Sequence, residues 1–314
     1  MPNAISHNEK LAFVAETAWG TTPASAGKEV RYTSIDSKQE KQTIESGELT
    51  TSREVADIIQ TARSGGLDVG FELSYDSLDP FLEGLLGSAW QVGVPAAGSD
   101  TLRVGAARKS FTVERQFTDL TPSPGRFMSY KGAIVQKIDL NVAVGQIITG
   151  SMSFMSKSPV SAGASAFTGA NVAASNNVVM DPISSIQLLQ EGGANVAGPT
   201  EVSMSLNSGI VSFEQLASVD PADLQAGQFT ASGKLAAYFA DAVYLDKFLS
   251  HATTSLKVTL GGTANKKYEF TFPKIKLTSF GNPNQGPNNK IIQTFEWKAF
   301  RDATDTTLKI VRTA

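Results

Sequence analysis

The chain contains no cysteine, which removes disulfide frameworks, thiol nucleophiles and thiolate metal sites together and fits folding in a reducing cytoplasm. Imidazole is nearly as scarce. The two histidines, His7 and His251, have no Ser or Asp neighbour in a nucleophile setting, so both read as surface residues. Charge is thin as well: 27 basic and 30 acidic residues among 314 leave a net charge of −3. That excludes the basic footprint of a protein that grips nucleic acid. No apolar run approaches the roughly 20 residues of a membrane-spanning helix. The opening MPNAISHNEKLAF lacks a basic stretch followed by an apolar core, so the expectation is a chain soluble where it is made. Nucleophile-elbow, phosphate-loop and dinucleotide fingerprints are absent, and the Gly-Gly pairs at 65–66, 192–193 and 261–262 read as turns. The carboxylate pairs Asp220/Asp223 and Glu45/Glu48 read as solvated charge, because two carboxylates do not make a calcium shell. The sequence therefore makes no case for catalysis, a cofactor or a metal.

What is present is period-two alternation, and the stretch Gly66 to Ser88 organises it. Leu67, Val69, Phe71, Leu73 and Tyr75 share one face of a half-buried strand. A short helix follows, with Ser77 or Asp79 as cap, Pro80 in its first turn and Gly87 as its stop. Its apolar stripe is Phe81, Leu82, Leu85 and Leu86. The stretch Gly233 to Ser255 superimposes on it without a gap, placing Phe248 and Leu249 on Phe81 and Leu82 and Tyr238 on Phe71. The flanks follow: KSFTVERQF beside KKYEFTF, Lys137-Ile138-Asp139-Leu140 beside Lys274-Ile275-Lys276-Leu277, and QIITGSMSFMSK beside KIIQTFEWKAF. Four elements recurring in one order predict a duplicated, mainly β chain, with Phe248 and Leu249 as buried as Phe81 and Leu82.

The expected organisation is a first domain over 1–157, an uncharged linker over 158–180 and a second domain over 181–314. Residues 12–23 read as an extended surface strand or arm, and 30–45 as a strand fading into polar sequence. Residues 46–64 read as a solvated loop with a helical turn around Val55, Ile58 and Ile59. The linker, rich in Ser, Ala, Gly and Asn, calls for burial against another subunit, and 281–289 reads as a hairpin tip.

Two stretches carry a family resemblance: FVAETAWGTTPAS, with Glu16, Trp19, Gly20 and Pro23 in an E-x-x-W-G-x-x-P pattern, and ELSYDSLDPFLEGLLGSAW, with Leu82, Leu86 and Trp90. Together they resemble the tail tube (major tail) proteins of long-tailed, non-contractile bacteriophages. The resemblance implies two tandem tail-tube-like β-sandwich or split-barrel domains, each with one flanking α-helix. It implies a structural virion protein of the tail, made in the host bacterial cytoplasm, whose rings stack into a hollow tube for genome ejection. DNA would transit the lumen without specific binding, and no membrane would be engaged. The partners implied are the chain itself, the adjacent rings, and tape-measure and tail-tip or terminator proteins. A duplicated domain favours a trimeric ring with pseudo-sixfold symmetry, the alternative being a hexamer of single tube domains with the second half outside. The family's inter-ring arm maps to about 46–64, with Thr50, Thr51, Arg53 and Glu54 as contact candidates, and Asp139 and Glu269 are candidates for the lumen-facing side. A head decoration or connector protein and a carbohydrate-binding β-sandwich remain the competing readings.

Overall fold

The alternating sequence folds into twenty strands and two short helices, α1 (Asp79–Leu86) and α2 (Val243–Leu249), among the described residues. The structure, a computed structural model, describes residues 3–48, 51–120, 126–183, 186–261, 266–283, 286 and 289–313. Strands form with one apolar face inward, as the pattern requires. Leu67, Val69 and Phe71 are buried in Ile58–Glu72, and Val202, Met204 and Leu206 in Pro199–Asn207.

Eight strands make one continuous antiparallel wall. Ser34–Glu45 pairs with Ile58–Glu72, which pairs with Thr149–Ser156, which pairs with the C-terminal part of Phe127–Ala143. The order then recurs as Pro199–Asn207, Thr230–Tyr238, Ile292–Ala299 and the C-terminal part of Lys267–Gly281. The two sets are joined by a ladder from Lys137 opposite Asn207 to Ala143 opposite Glu201. In each set the long last strand continues into a second layer. Phe127–Ala143 pairs there with Phe111–Phe117, which carries Glu9–Ala15; Lys267–Gly281 pairs with Thr254–Gly261, which carries Ile186–Glu191.

Even the irregularities recur. The ladder slips by one residue between Val135 and Lys137 opposite Phe154 and Ser153, and again between Leu277 and Ser279 opposite Trp297 and Glu296. A second pair of slips falls at Phe111/Val113 and Thr254/Leu256. An extra residue bends and twists a strand. These two bulges carry each long strand from the wall to the second layer.

α1 fills the gap between layers in the first set. The Phe81 ring lies 4.6 Å from Phe13 and 5.4 Å from Phe111 in the second layer, and 5.5 Å edge-on from Phe154 in the wall. Phe81, Leu82, Leu85 and Leu86 are all buried there. α2 packs differently: Tyr244 stacks on Phe295 at 4.7 Å and Phe248 is half-buried against the core, while Leu249 is 71% exposed. One residue beyond Phe248 lies about 100° further round the helix, so a helix anchored by Tyr244 and Phe248 turns Leu249 outward. The expectation of a buried Leu249 is thus overturned.

The gap-free matching of the two stretches is corrected by the ladders. Leu67 faces Phe154 as Gly233 faces Trp297, and Val69 faces Met152 as Leu235 faces Phe295. The strands are therefore one residue out of step with the Gly66-to-Gly233 matching, and one residue reverses every side chain. Phe71 is 1% exposed, whereas Tyr238, its expected counterpart, is 41% exposed. The position equivalent to Phe71 is Ala237, which is buried. By the same ladders Phe111–Phe117 corresponds to Thr254–Gly261 rather than to KKYEFTF, and Lys137 to Ser279 rather than to Lys274.

Three further expectations change. Glu9–Ala15 is an interior strand, with Leu11, Ala12, Phe13 and Val14 buried between two partners. Residues 58–64 continue the strand Ile58–Glu72 instead of turning helically, and Ser34–Glu45 stays extended through its polar half because the two form one hairpin. The uncharged stretch after 158 is bound within the chain. Ser165 Oγ and the Ala166 amide donate to the Glu114 carboxylate at 2.6 and 2.7 Å, Phe167 is buried, and Met180 exchanges backbone bonds with Leu73 and Ile148.

Candidate assembly surfaces

The E-x-x-W-G-x-x-P stretch is a clamp. The strand Glu9–Ala15 delivers Glu16 beside two neighbouring strands, and its carboxylate accepts four hydrogen bonds. The donors are the amides of Gly20 and Gly132 at 2.8 Å each, Ser110 Oγ at 2.7 Å and Thr112 Oγ1 at 2.8 Å. Gly20 sits at φ +74°, a conformation glycine adopts without strain, which lets its amide turn back on Glu16. Trp19 Nε1 donates to the Gly132 carbonyl at 3.1 Å, and the Lys157 ammonium lies 4.2 Å from the Trp19 ring centre. The second stretch ends similarly. The Trp90 amide donates to Glu83 at 2.9 Å, and the Arg312 guanidinium lies 4.7 Å over the Trp90 ring.

Arg312 belongs to the C-terminal strand, so α1 of the first set is held by the second. Asp79 at the head of α1 is buried and accepts from Tyr268 Oη at 2.5 Å and from Arg312, while Tyr268 Oη also accepts the Asp76 amide. Burial pushes the Asp79 carboxyl upward against the pull of Tyr268 and Arg312. Burial, and then the adjacent Asp79, pushes the Tyr268 phenol well above its ordinary value.

The outer face of the wall is small and polar, and three ion pairs lie on it. Lys137 bonds Asp139 at 2.8 Å, Lys234 bonds Glu201 at 3.0 Å, and Lys38 bonds Asp68. Ser151, Ser203 and Ser205 lie among them in a shallow concavity with Asp139. Glu269 does not share this wall: it lies on the second-layer part of Lys267–Gly281, paired with Lys257 at 2.9 Å.

Two hairpins protrude from equivalent places in the two sets. The first, 46–57, extends the Ser34–Glu45/Ile58–Glu72 hairpin and carries Thr51, Arg53 and Glu54, all exposed; Thr50 lies outside the described residues. Ile44, Val55, Ile58 and Ile59 are more than half exposed around it. The second, between Pro199–Asn207 and Thr230–Tyr238, carries a small ladder of Val211–Phe213 against Asp223–Gln225, with Leu216 98% exposed. It docks at the base of the first: the Arg63 amide donates to the Val219 carbonyl at 2.8 Å, and the Arg63 guanidinium bonds both oxygens of Asp220 at 2.7 and 2.9 Å. That hydrogen bond, above all, lowers the Asp220 carboxyl. Asp223 is held by Arg108. The two aspartates are therefore arginine partners, and no cluster of three or more metal-type ligands occurs among the described residues. The second hairpin has no apolar alternation of its own, and only the charge match of Arg63 with Asp220 could have drawn attention to it.

No curated protein sequence matches the chain significantly. The profile of the phage tail tube protein family, by contrast, matches residues 6–299 and so takes in the Glu16 clamp, both helices and the whole wall. The chain is a structural phage tail component: it belongs to the phage tail tube protein family.

Proposed function

We propose that the chain assembles into rings that stack as a hollow tail tube, through which DNA passes during delivery to the host. The observation that carries this reading is the wall itself. One strand order occurs twice, with the same bulges, and the two sets are joined edge to edge by a ladder. The reading takes 1–157 and 181–314 as two tube domains fused through 158–180, standing side by side as two wedges. Three chains then supply six wedges in a trimeric ring with pseudo-sixfold symmetry. The serines and the ion pairs around Asp139 suit a lumen lining, because an unpaired basic lining there would release counterions and hold DNA. In this reading Asp139 is the preferred lining residue. The exposed isoleucines of the first hairpin, with Thr51, Arg53 and Glu54, suit contact with the next ring, since apolar groups clustered on a protrusion mark an interaction site. Synthesis in the host cytoplasm followed by incorporation into the virion tail, next to tape-measure and terminator proteins, completes the reading.

The test is electron microscopy with mass measurement on concentrated protein. Stacked rings of three chains are expected, roughly 100 kDa per ring against roughly 200 kDa for a hexamer, the chain being 33.2 kDa. Replacing 48–57 by a short turn should leave single rings that do not stack. A species that stays monomeric at every concentration would end the proposal.

A further inference from the structure

At one equivalent pair the cores of the two sets are filled differently, and a cleft lies beside the second. In the first set Phe71 faces Gly150 across the ladder, and its ring takes up the space: Phe71 is buried, and a Cβ on Gly150 would meet Phe71 Cζ at 2.5 Å. In the second set Ala237 faces Gln293 at the same place. A large apolar side chain beside glycine is thus exchanged for a small one beside a buried amide. Gln293 lines a cleft of about 240 Å³, together with Glu191, Tyr238, Asp241, Tyr244 and Lys247.

Two groups at this cleft are buried and incompletely bonded. Gln293 is 2% exposed, and its Oε1 accepts no hydrogen bond. Glu191 is 4% exposed; its Oε2 accepts from Lys247 Nζ at 2.5 Å, while its Oε1 accepts nothing. A buried acceptor left unpaired costs free energy that an apolar residue of the same shape would avoid. Both orphans are acceptors, so what answers them is a donor. The charges here come in equal numbers: Glu191 has Lys247, and the others are Asp241 and Lys290, whose ammonium lies 4.8 Å from the Tyr238 ring centre. Burial, and then Glu191 and Asp241, push the Tyr244 phenol up to about 12, so it stays a neutral hydroxyl.

We propose that the cleft binds one neutral pyranose ring, either a free sugar or the end of a glycan chain. Its hydroxyls donate to Gln293 Oε1 and Glu191 Oε1, and its C–H face lies against Tyr238 and Tyr244, whose rings are apolar bodies with a polar tip. The cleft is smaller than the roughly 300–1,000 Å³ of sites for drug-sized molecules, which suits a single ring. An anion would meet two carboxylates, and an apolar guest would leave both acceptors unpaired. The cleft belongs to the single chain, so the site does not depend on ring formation.

The test is isothermal titration of the full chain with the methyl glycosides of glucose, galactose, mannose and N-acetylglucosamine. At least one should bind with a Kd on the order of 1 mM, the affinity a molecule of that size reaches at an ordinary contribution per atom. Gln293→Leu and Tyr238→Ala should each weaken that binding at least tenfold, whereas Phe213→Ala, on the second hairpin, should bind as the parent does. Gln293→Leu should keep or raise the urea midpoint, because it removes a buried acceptor that has no partner. A lowered midpoint with unchanged binding would show a merely structural amide and overturn the site. The free sugars, titrated alongside, separate the two sources. A methyl glycoside that binds at least as tightly as its free sugar supports a chain end as the ligand, and the reverse supports a free sugar. No binding of any of the four glycosides at ten times that concentration would refute the proposal. So would glycerol binding as well as they do, or putrescine binding in their place and losing its affinity in Gln293→Leu.

Discussion

Glu16→Ala is the sharpest test of the clamp reading. The substitution removes one acceptor from four donors. Thr112 Oγ1 keeps a second partner in Thr22 Oγ1 at 3.0 Å, and hydroxyls rotate, so the side-chain donors recover part of their loss. The amides of Gly20 and Gly132 are fixed in direction and are left facing a gap. A stranded donor of this kind costs about 1–3 kcal/mol, so two give a destabilisation of about 2–6 kcal/mol. With a urea slope of about 3 kcal/mol per molar, the midpoint should fall by roughly 1 M. Equilibrium unfolding followed by tryptophan fluorescence reads this directly, because Trp19 bonds the same Gly132. Glu16→Gln keeps the shape but turns an amide NH2 toward donors, so it should retain at least half of the loss. The control is Glu29→Ala, which breaks the surface pair with Lys10 at 2.7 Å and should cost under about 1 kcal/mol. A Glu16→Ala midpoint within 0.2 M of the control, a margin of roughly 0.6 kcal/mol on that slope, would show that the motif does not work as a clamp.

Leu82→Ala should cost about 2–5 kcal/mol, because Leu82 is 2% exposed and its helix is wedged between layers; Leu249→Ala should change single-chain stability by less than about 0.5 kcal/mol, and equal sensitivity of the two would contradict the packing of α2. Gly84→Ala should destabilise by about 1–3 kcal/mol despite alanine's better helix propensity, since a Cβ there would meet Phe111 Cε2 at 2.9 Å; a stabilised variant would show that the layers part easily. The amides of Asp305 and Thr304, with Lys274, hold the Asp302 carboxyl at about 2. A depressed carboxyl stabilises fully above its unfolded value near 4 and loses that contribution as pH falls toward 2. Parent and Asp302→Ala should therefore differ in urea midpoint at pH 5 and converge near pH 2, and a gap independent of pH would refute the assignment.

Much of the fold was legible because a period-two pattern has few other solutions: the strands of the wall, α1 and its buried stripe follow from Leu67, Val69, Phe71 and the Pro80-to-Gly87 bracket. The recurrence was legible too, yet its register was not. Gly66 and Gly233 match as letters, but what fixes equivalence is which residue faces which across the ladder, and the bulges at Gln136 and Thr278 make no mark in the sequence. The exposure of Leu249 was hidden for a related reason. Phe81-Leu82 and Phe248-Leu249 are the same kind of pair, and only the neighbours present in space decide which member is covered. The clamp was visible as a pattern without a mechanism, since the partners of Glu16 lie some hundred residues away at Ser110, Thr112 and Gly132.

The sequence by itself determined composition-level facts and local geometry: no thiol chemistry, little charge, alternating strands, one well-bracketed helix and a motif that resembles a tail tube protein. The tertiary structure decided which strands are neighbours. It joined two like sets into one wall, drew the uncharged stretch onto Glu114, set the second hairpin against Arg63 and, among the described residues, left the helix Val243–Leu249 and the two end strands of the wall open on one side. Local patterns depend on residues a few positions apart, whereas ladders and seams depend on pairings that chain connectivity alone does not specify.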